Sequence, residues 1–200
     1  MSAPEDRSDA VSLAHTEGYF EAQYATEPDP WGFDTAWYER RKYALTMAAL
    51  PRPRYRRALE PGCANGALTE LLAPRCDAIE AFDRVPACVA RATVRLQRFG
   101  QVAVRRAAFP DHWPEGGGDL VVWSEVAYYL TGAGAHVAVA GLHRWLEPGG
   151  HLVAVHYTGA TDYPMAGHAV GPWLDALPWL QRRVTHLDDS FELGVWERAR

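Results

Sequence analysis

An α/β fold, with a mostly parallel sheet covered by helices on both faces, is what this 200-residue chain predicts. Three observations carry the prediction. After residue 50, short apolar runs alternate with helix-like stretches, and strands separated by helices pair in parallel under cover on both sides. The first run passes through Ala58-Leu59-Glu60-Pro61-Gly62-Cys63-Ala64-Asn65-Gly66-Ala67-Leu68, which reads as strand, tight small-residue turn and helix. The next run, Ala78-Ile79-Glu80-Ala81-Phe82, ends on an acidic residue, Asp83.

The elements follow in order. Polar residues 1–15 read as a loose terminus without a secretory apolar region. Thr16 to Ala25 reads as a short amphipathic helix, and Asp34 is expected to cap a second helix from Thr35 to about Leu50, ended by Pro51 and Pro53. Residues 16–50 are therefore expected to form a helical lid on a core of residues 51–200. In the core, a helix runs from Pro86 to about Phe99, and Gln101–Arg106 is the third strand. Asp119–Trp123 is a buried strand, a helix covers about Ala133 to Leu146, Glu147-Pro148-Gly149-Gly150 is a turn, and His151–His156 is the fifth strand. Trp179 to Trp196 reads as a hairpin around Asp188-Asp189.

Composition narrows the function classes. The net charge of −5 argues against a nucleic-acid partner. No run is long and apolar enough to span a membrane. Three cysteines without metal spacing suggest a reducing compartment, and a cytoplasmic location is expected. The histidines show no metal-ligand spacing, so no metal is expected. Arg52, Arg54, Arg56 and Arg57 read as solvated surface flanking the first strand, and the single lysine, Lys42, against nineteen arginines reads as coding bias. Oligomeric state is left open.

The turn after the first strand carries the chemistry. Small residues let a backbone approach a ligand at a helix start, where N–H groups lack partners, and a carboxylate ending the next strand can grip a ribose diol. A dinucleotide site wants glycines at the first, third and sixth positions; here these are Gly62, Ala64 and Ala67. Glu60, Gly62, Ala64 and Gly66 instead resemble the first motif of class I S-adenosylmethionine-dependent methyltransferases, with Asp83 at the ribose position. Ala64 stands where a glycine is usual, so a slightly altered turn is expected, with Asn65 the residue that better tolerates left-handed geometry. Gly118–Glu125 resembles that family's fourth-strand motif, and Leu146–Val153 its turn before the fifth strand. The resemblance implies a Rossmann-like, seven-stranded sheet with a C-terminal β-hairpin. More narrowly, Asp29-Pro30-Trp31, Trp37-Tyr38-Glu39-Arg40-Arg41-Lys42 and Ser124–Leu130 resemble the nodulation protein S group, whose members N-methylate an amino sugar at the end of a chitooligosaccharide. That group carries tryptophan after the histidine ending the fifth strand; here it is Tyr157.

The resemblance implies these roles. Glu60 orients the turn, Gly62 and Ala64 approach the cofactor, and Asp83 takes the ribose, with Arg84 beside the adenine. Ala107, Ala108 and Phe109 lie against the ring, Ser124 follows the fourth strand, and Trp31 and Tyr38 close over the site. On the acceptor side Glu125 and Tyr129 follow the fourth strand, and His156 is the candidate base. Methyl transfer to an amine of a small-molecule acceptor is the leading expectation. O-methylation, a nicotinamide-dependent oxidoreductase and a binding module without catalysis are the alternatives.

Overall fold

The computed structural model describes residues 17–200; the loose terminus expected over 1–15 lies outside the described residues. Two helices come first, α1 (Glu17–Thr26) and α2 (Trp37–Ala49). The turn between them is built by Asp29, whose carboxylate accepts the N–H groups of Phe33 (2.8 Å) and Asp34 (3.0 Å). Asp34 does not cap α2. The helix begins two residues later than expected, after Ala36, because the Asp34 carboxylate is held instead by Arg95 (2.5 Å) and the Asn65 amide (3.2 Å).

The core alternates as the apolar runs dictate: β1 (Tyr55–Pro61), α3 (Ala67–Leu72), β2 (Cys76–Asp83), α4 (Pro86–Leu96), β3 (Val102–Arg106), β4 (Gly118–Ser124), α5 (Gly132–Trp145), β5 (Leu146–Tyr157), α6 (Gly167–Asp175), β6 (Leu180–Leu187) and β7 (Phe191–Arg198). The seven strands form one sheet in the order β3-β2-β1-β4-β5-β7-β6. Neighbours pair in parallel except β7, which is antiparallel to both β5 and β6. The Glu147–Gly150 segment, expected as a turn, lies inside β5. It is an unpaired bulge: Leu146 before it pairs with Gly118 and His151 after it with Leu120, with a shift in register between them.

The period-two alternation of buried strands divides the core in two. Leu120 and Val122 pack into one apolar layer with Ile79, Val153 and Leu193. Val121 and Trp123 pack into the other with Leu152, Ala154 and Trp196. The arginine run before β1 finds acidic partners: Arg54 pairs with Asp77 at 2.5 Å and Arg52 with Asp119 at 3.3 Å. The N-terminal segment reaches across to the far end of the chain, where Arg41 pairs with Asp188 (2.5 Å) and the Tyr38 ring packs edge-on to Phe191 (5.9 Å). No helix among the described residues is long and apolar enough to cross a membrane.

Candidate active site

Strand order reverses between β1 and β4, and in such sheets the crevice beyond the strand ends is where ligands bind. A cavity of about 550 Å³ opens there. One wall is the turn after β1. Gly62 has φ +67°, and a Cβ on it would stand 2.4 Å from Val126 Cγ1, so no other residue fits without a shift. Ala64 takes a left-handed conformation itself, with φ +47°, at a cost of roughly 1–2 kcal/mol. The alanine therefore takes the positive φ that a glycine would adopt without cost. The tolerance expected of Asn65 is not used; its side-chain oxygen accepts the Ala67 N–H at 3.1 Å and steadies the start of α3.

Asp83 is what holds the turn shut. One carboxylate oxygen accepts the Ala64 N–H (3.0 Å) and the other the Val85 N–H (2.9 Å). Burial pushes its pKa up, and these two N–H groups oppose the rise. Each oxygen keeps a further lone pair for a ligand. Glu60, at the end of β1, is buried with Oε2 unpartnered among the described residues. Burial pushes its carboxyl up to about 7, against the nearby Thr69 hydroxyl.

The remaining walls come from four directions. Trp31 and Tyr38 border the cavity from the N-terminal segment, and Trp31 stacks on Phe33 at 5.8 Å. Arg84 follows β2, Ala107 and Phe109 follow β3, and Ser124 ends β4, all at the cavity. Ala108 is not on its lining; its carbonyl turns away to accept the His112 N–H at 2.9 Å.

Beyond β4 the chain is held tightly. Glu125 has φ +56°, a left-handed conformation that persists in a non-glycine residue only where its surroundings over-determine it. Its N–H donates to the Val155 carbonyl (2.9 Å), its Oε2 accepts the Tyr157 N–H (3.0 Å), and its Oε1 accepts from the Lys42 ammonium (2.7 Å). Burial alone would push its pKa up, yet Lys42, aided by His156 and the Tyr157 N–H, brings it below the usual carboxylate value. Tyr129 borders the cavity, packed 4.6 Å from Tyr128 and 4.7 Å from Tyr163.

His156 is the clear departure. It is 2% exposed, it is absent from the cavity wall, and its Nε2 accepts the Ala127 N–H at 3.0 Å. A ring nitrogen already accepting a hydrogen bond has no lone pair left for a substrate proton. Burial lowers its pKa to about 4. The imidazole is a neutral brace for the turn that carries Tyr128 and Tyr129.

A description of the family Nodulation protein S (NodS) matches residues 15–171. The chain belongs to the nodulation protein S family. It is 38% identical over 127 residues to nodulation protein S of Rhizobium tropici, a match that covers 62% of this chain and 53% of that one. Against nodulation protein S of Sinorhizobium fredii it is 35% identical, covering 62% of this chain and 59% of the relative. The chain thus spans little more than half the length of these two relatives. The crystal structure of the N-methyltransferase NodS from Bradyrhizobium japonicum WM9 in complex with S-adenosyl-L-homocysteine superposes with a TM-score of 0.82 at 26% identity, covering 92% of this chain and 98% of that one.

The residue that sequence reasoning passed over is Lys42. It is 1% exposed, lies between Glu39 (3.0 Å) and Glu125 (2.7 Å), and borders the cavity. Its signal was its solitude: a lone lysine, in a chain that otherwise uses arginine throughout, marks a place where a point charge fits and a planar fork does not.

Proposed function

We propose that this chain is a methyltransferase that moves a methyl group from S-adenosylmethionine to an amine of a small molecule. The observation that carries the reading is the glycine-tight turn at Gly62–Ala64, tied to the Asp83 carboxylate at the switch point of a nodulation protein S family chain. The residues present fit the donor. Glu60 Oε2 is an open acceptor for an ammonium group, Asp83 has lone pairs for a diol, and Gly62 leaves room for close approach. Four carboxylates, Glu39, Glu60, Asp83 and Glu125, border the cavity and favour a cationic guest.

When bound, S-adenosylmethionine supplies a methyl group already activated by its sulfonium. The protein's part is then to position the nucleophile and exclude water. Trp31 and Tyr38 on the N-terminal segment of residues 16–50 act as the lid, and the core of residues 51–200 holds the donor. On the acceptor side, no imidazole borders the cavity among the described residues, and Glu125 is paired with Lys42 and held below the usual carboxylate value, which makes it a weak base. A hydroxyl acceptor needs a base within reach; an amine, free of its proton over part of the population near neutral pH, does not. That favours nitrogen over oxygen. The three cysteines, all buried and free, fit the cytoplasm as its compartment. The net charge of −5 fits a small-molecule acceptor rather than nucleic acid.

Calorimetry tests the donor: S-adenosylhomocysteine should bind and NAD should not. Labelled-methyl transfer to a chitooligosaccharide carrying one free terminal amine, beside its N-acetylated and simple-alcohol counterparts, tests the acceptor. Label appearing on the alcohol alone would overturn the nitrogen assignment, and failure of wild type to bind S-adenosylhomocysteine would overturn the whole reading.

A further inference from the structure

The wall formed by the segment after β4 hangs on one side chain from α2. The Lys42 ammonium lies 4.8 Å from the Tyr38 ring centroid and 5.7 Å from that of Tyr43, and it spans two carboxylates, at Glu125 Oε1 (2.7 Å) and Glu39 Oε1 (3.0 Å). We propose that Lys42 is a positioning residue: it keeps Glu125 in its left-handed backbone conformation with both carboxylate oxygens occupied, and thereby sets the wall against which the methyl acceptor binds. The identity of that wall rests on the methyltransferase reading above.

The chain of contacts is short. Glu125 Oε2 receives the Tyr157 N–H, so the end of β5 and the end of β4 are joined through this one carboxylate. Two residues on, the Ala127 N–H is fixed to His156 Nε2 at 3.0 Å, which sets the turn bearing Tyr128 and Tyr129. Without the ammonium, a buried carboxylate would face the Glu39 carboxylate with no counter-charge. A stranded buried charge is removed by protonation or by movement, and movement here releases φ at Glu125 and the Tyr157 contact together. From α2, Lys42, Glu39, Tyr38 and Tyr43 act electrostatically with the Glu125 carboxylate. From β5 it is His156, and Tyr128, Tyr129 and Tyr163 complete the surround. Lys42 is the one ammonium group among them. A lysine suits the place, because a compact ammonium fits between two carboxylates at 1% exposure where a guanidinium fork would need a wider slot.

The test uses the full chain as wild type, Lys42→Met and the double variant Lys42→Met with Glu125→Gln. Thermal midpoints are measured from pH 5 to 8, S-adenosylhomocysteine affinity by calorimetry, and methyl-transfer rates on the amine-bearing chitooligosaccharide. With Lys42 removed, burial takes the folded-state pKa of Glu125 above its unfolded value. Stability of Lys42→Met should then fall, relative to wild type, as pH rises through that range, and the double variant should keep only the part of this slope that comes from Glu39, which loses the same counter-charge. Affinity for S-adenosylhomocysteine should stay within threefold while kcat drops at least thirtyfold, unrestored in the double variant. A midpoint loss equal at every pH overturns the proposal, as a side chain that merely fills space would give. A loss of S-adenosylhomocysteine affinity matching the loss in rate also overturns it, since Lys42 would then hold the donor. If Lys42→Met does not fold, a folded double variant supports the proposal and an unfolded one overturns it. A wild type that ignores S-adenosylhomocysteine sinks the methyltransferase reading, and the difference in pH slope between the single and double variants still decides for or against the lysine's hold on Glu125.

Discussion

Glu60 and His156 are buried groups whose shifted ionisation couples the stability of this protein to pH. The Glu60 carboxyl is raised by burial to about 7. Its proton is retained in the folded state and lost in the unfolded one over the range between the ordinary carboxylate value and pH 7. Stability therefore falls as pH rises through that window, by roughly 3 kcal/mol once Glu60 is ionised in both states. Glu60→Gln should remove this decline, so that at pH 8 the unliganded variant resists urea better than wild type while binding S-adenosylhomocysteine more weakly. Unfolding curves at pH 5 and pH 8 and a titration check both halves. The opposite sign holds for His156, whose pKa is depressed to about 4: its contribution is intact above pH 6.5 and fades as pH drops through 4. Because its Nε2 braces the Ala127 N–H, His156→Gln, which can also accept that hydrogen bond, should keep kcat within about threefold at pH 8. A general base would lose 100-fold or more, and initial rates separate the two.

The turn between β1 and α3 concentrates the strain of the site. Gly62→Ala forces a Cβ to within 2.4 Å of Val126 Cγ1 at φ +67°. Together the overlap and the left-handed backbone should cost roughly 2–4 kcal/mol and abolish donor binding. Ala64→Gly should do the reverse for the fold, stabilising it by about 1 kcal/mol, since φ +47° costs glycine nothing. Chemical denaturation of the two variants gives the pair of values. This turn was legible in the sequence because small residues and an acidic strand end are local signals. Asp34 was not, since its partners Arg95 and Asn65 lie 61 and 31 residues away, and a cap is guessed from neighbours alone. His156 was misjudged for the same reason. A histidine at the catalytic edge of a strand looks the same in sequence whether its ring faces a cavity or a backbone N–H. Glu147–Gly150 read as a turn because proline and glycines usually end an element; the four residues do bulge out unpaired, but Leu146 and His151 on either side both pair with β4, so the strand continues around them.

At the scale of the whole molecule, the parallel sheet and its closing hairpin were readable from the rhythm of apolar runs. The count of seven strands came from the family resemblance, and that β7 runs antiparallel to β5 is given by the structure, since periodicity does not give orientation. What could not be read was how the N-terminal helices meet the sheet, because α2 offers no clean apolar face; its buried residues are Glu39, Lys42, Tyr43 and Thr46. Polar groups are buried there to serve a cavity, and sequence patterns are tuned to apolar cores. β7 pairs with β5 along seven residues and buries Leu193, Val195 and Trp196. A chain cut after Pro178 would expose that edge and apolar surface, and it should show no cooperative melting transition by circular dichroism.

Arg41 and Tyr38, near the start of the chain, lean on Asp188 and Phe191, near its finish. Residues far apart in the sequence therefore meet at one wall of the cavity, which Tyr38 borders. Loss of the closing hairpin would thus free one flank of the second helix while Lys42 still held the other to Glu125, and the pocket would loosen from the side farthest from its donor turn.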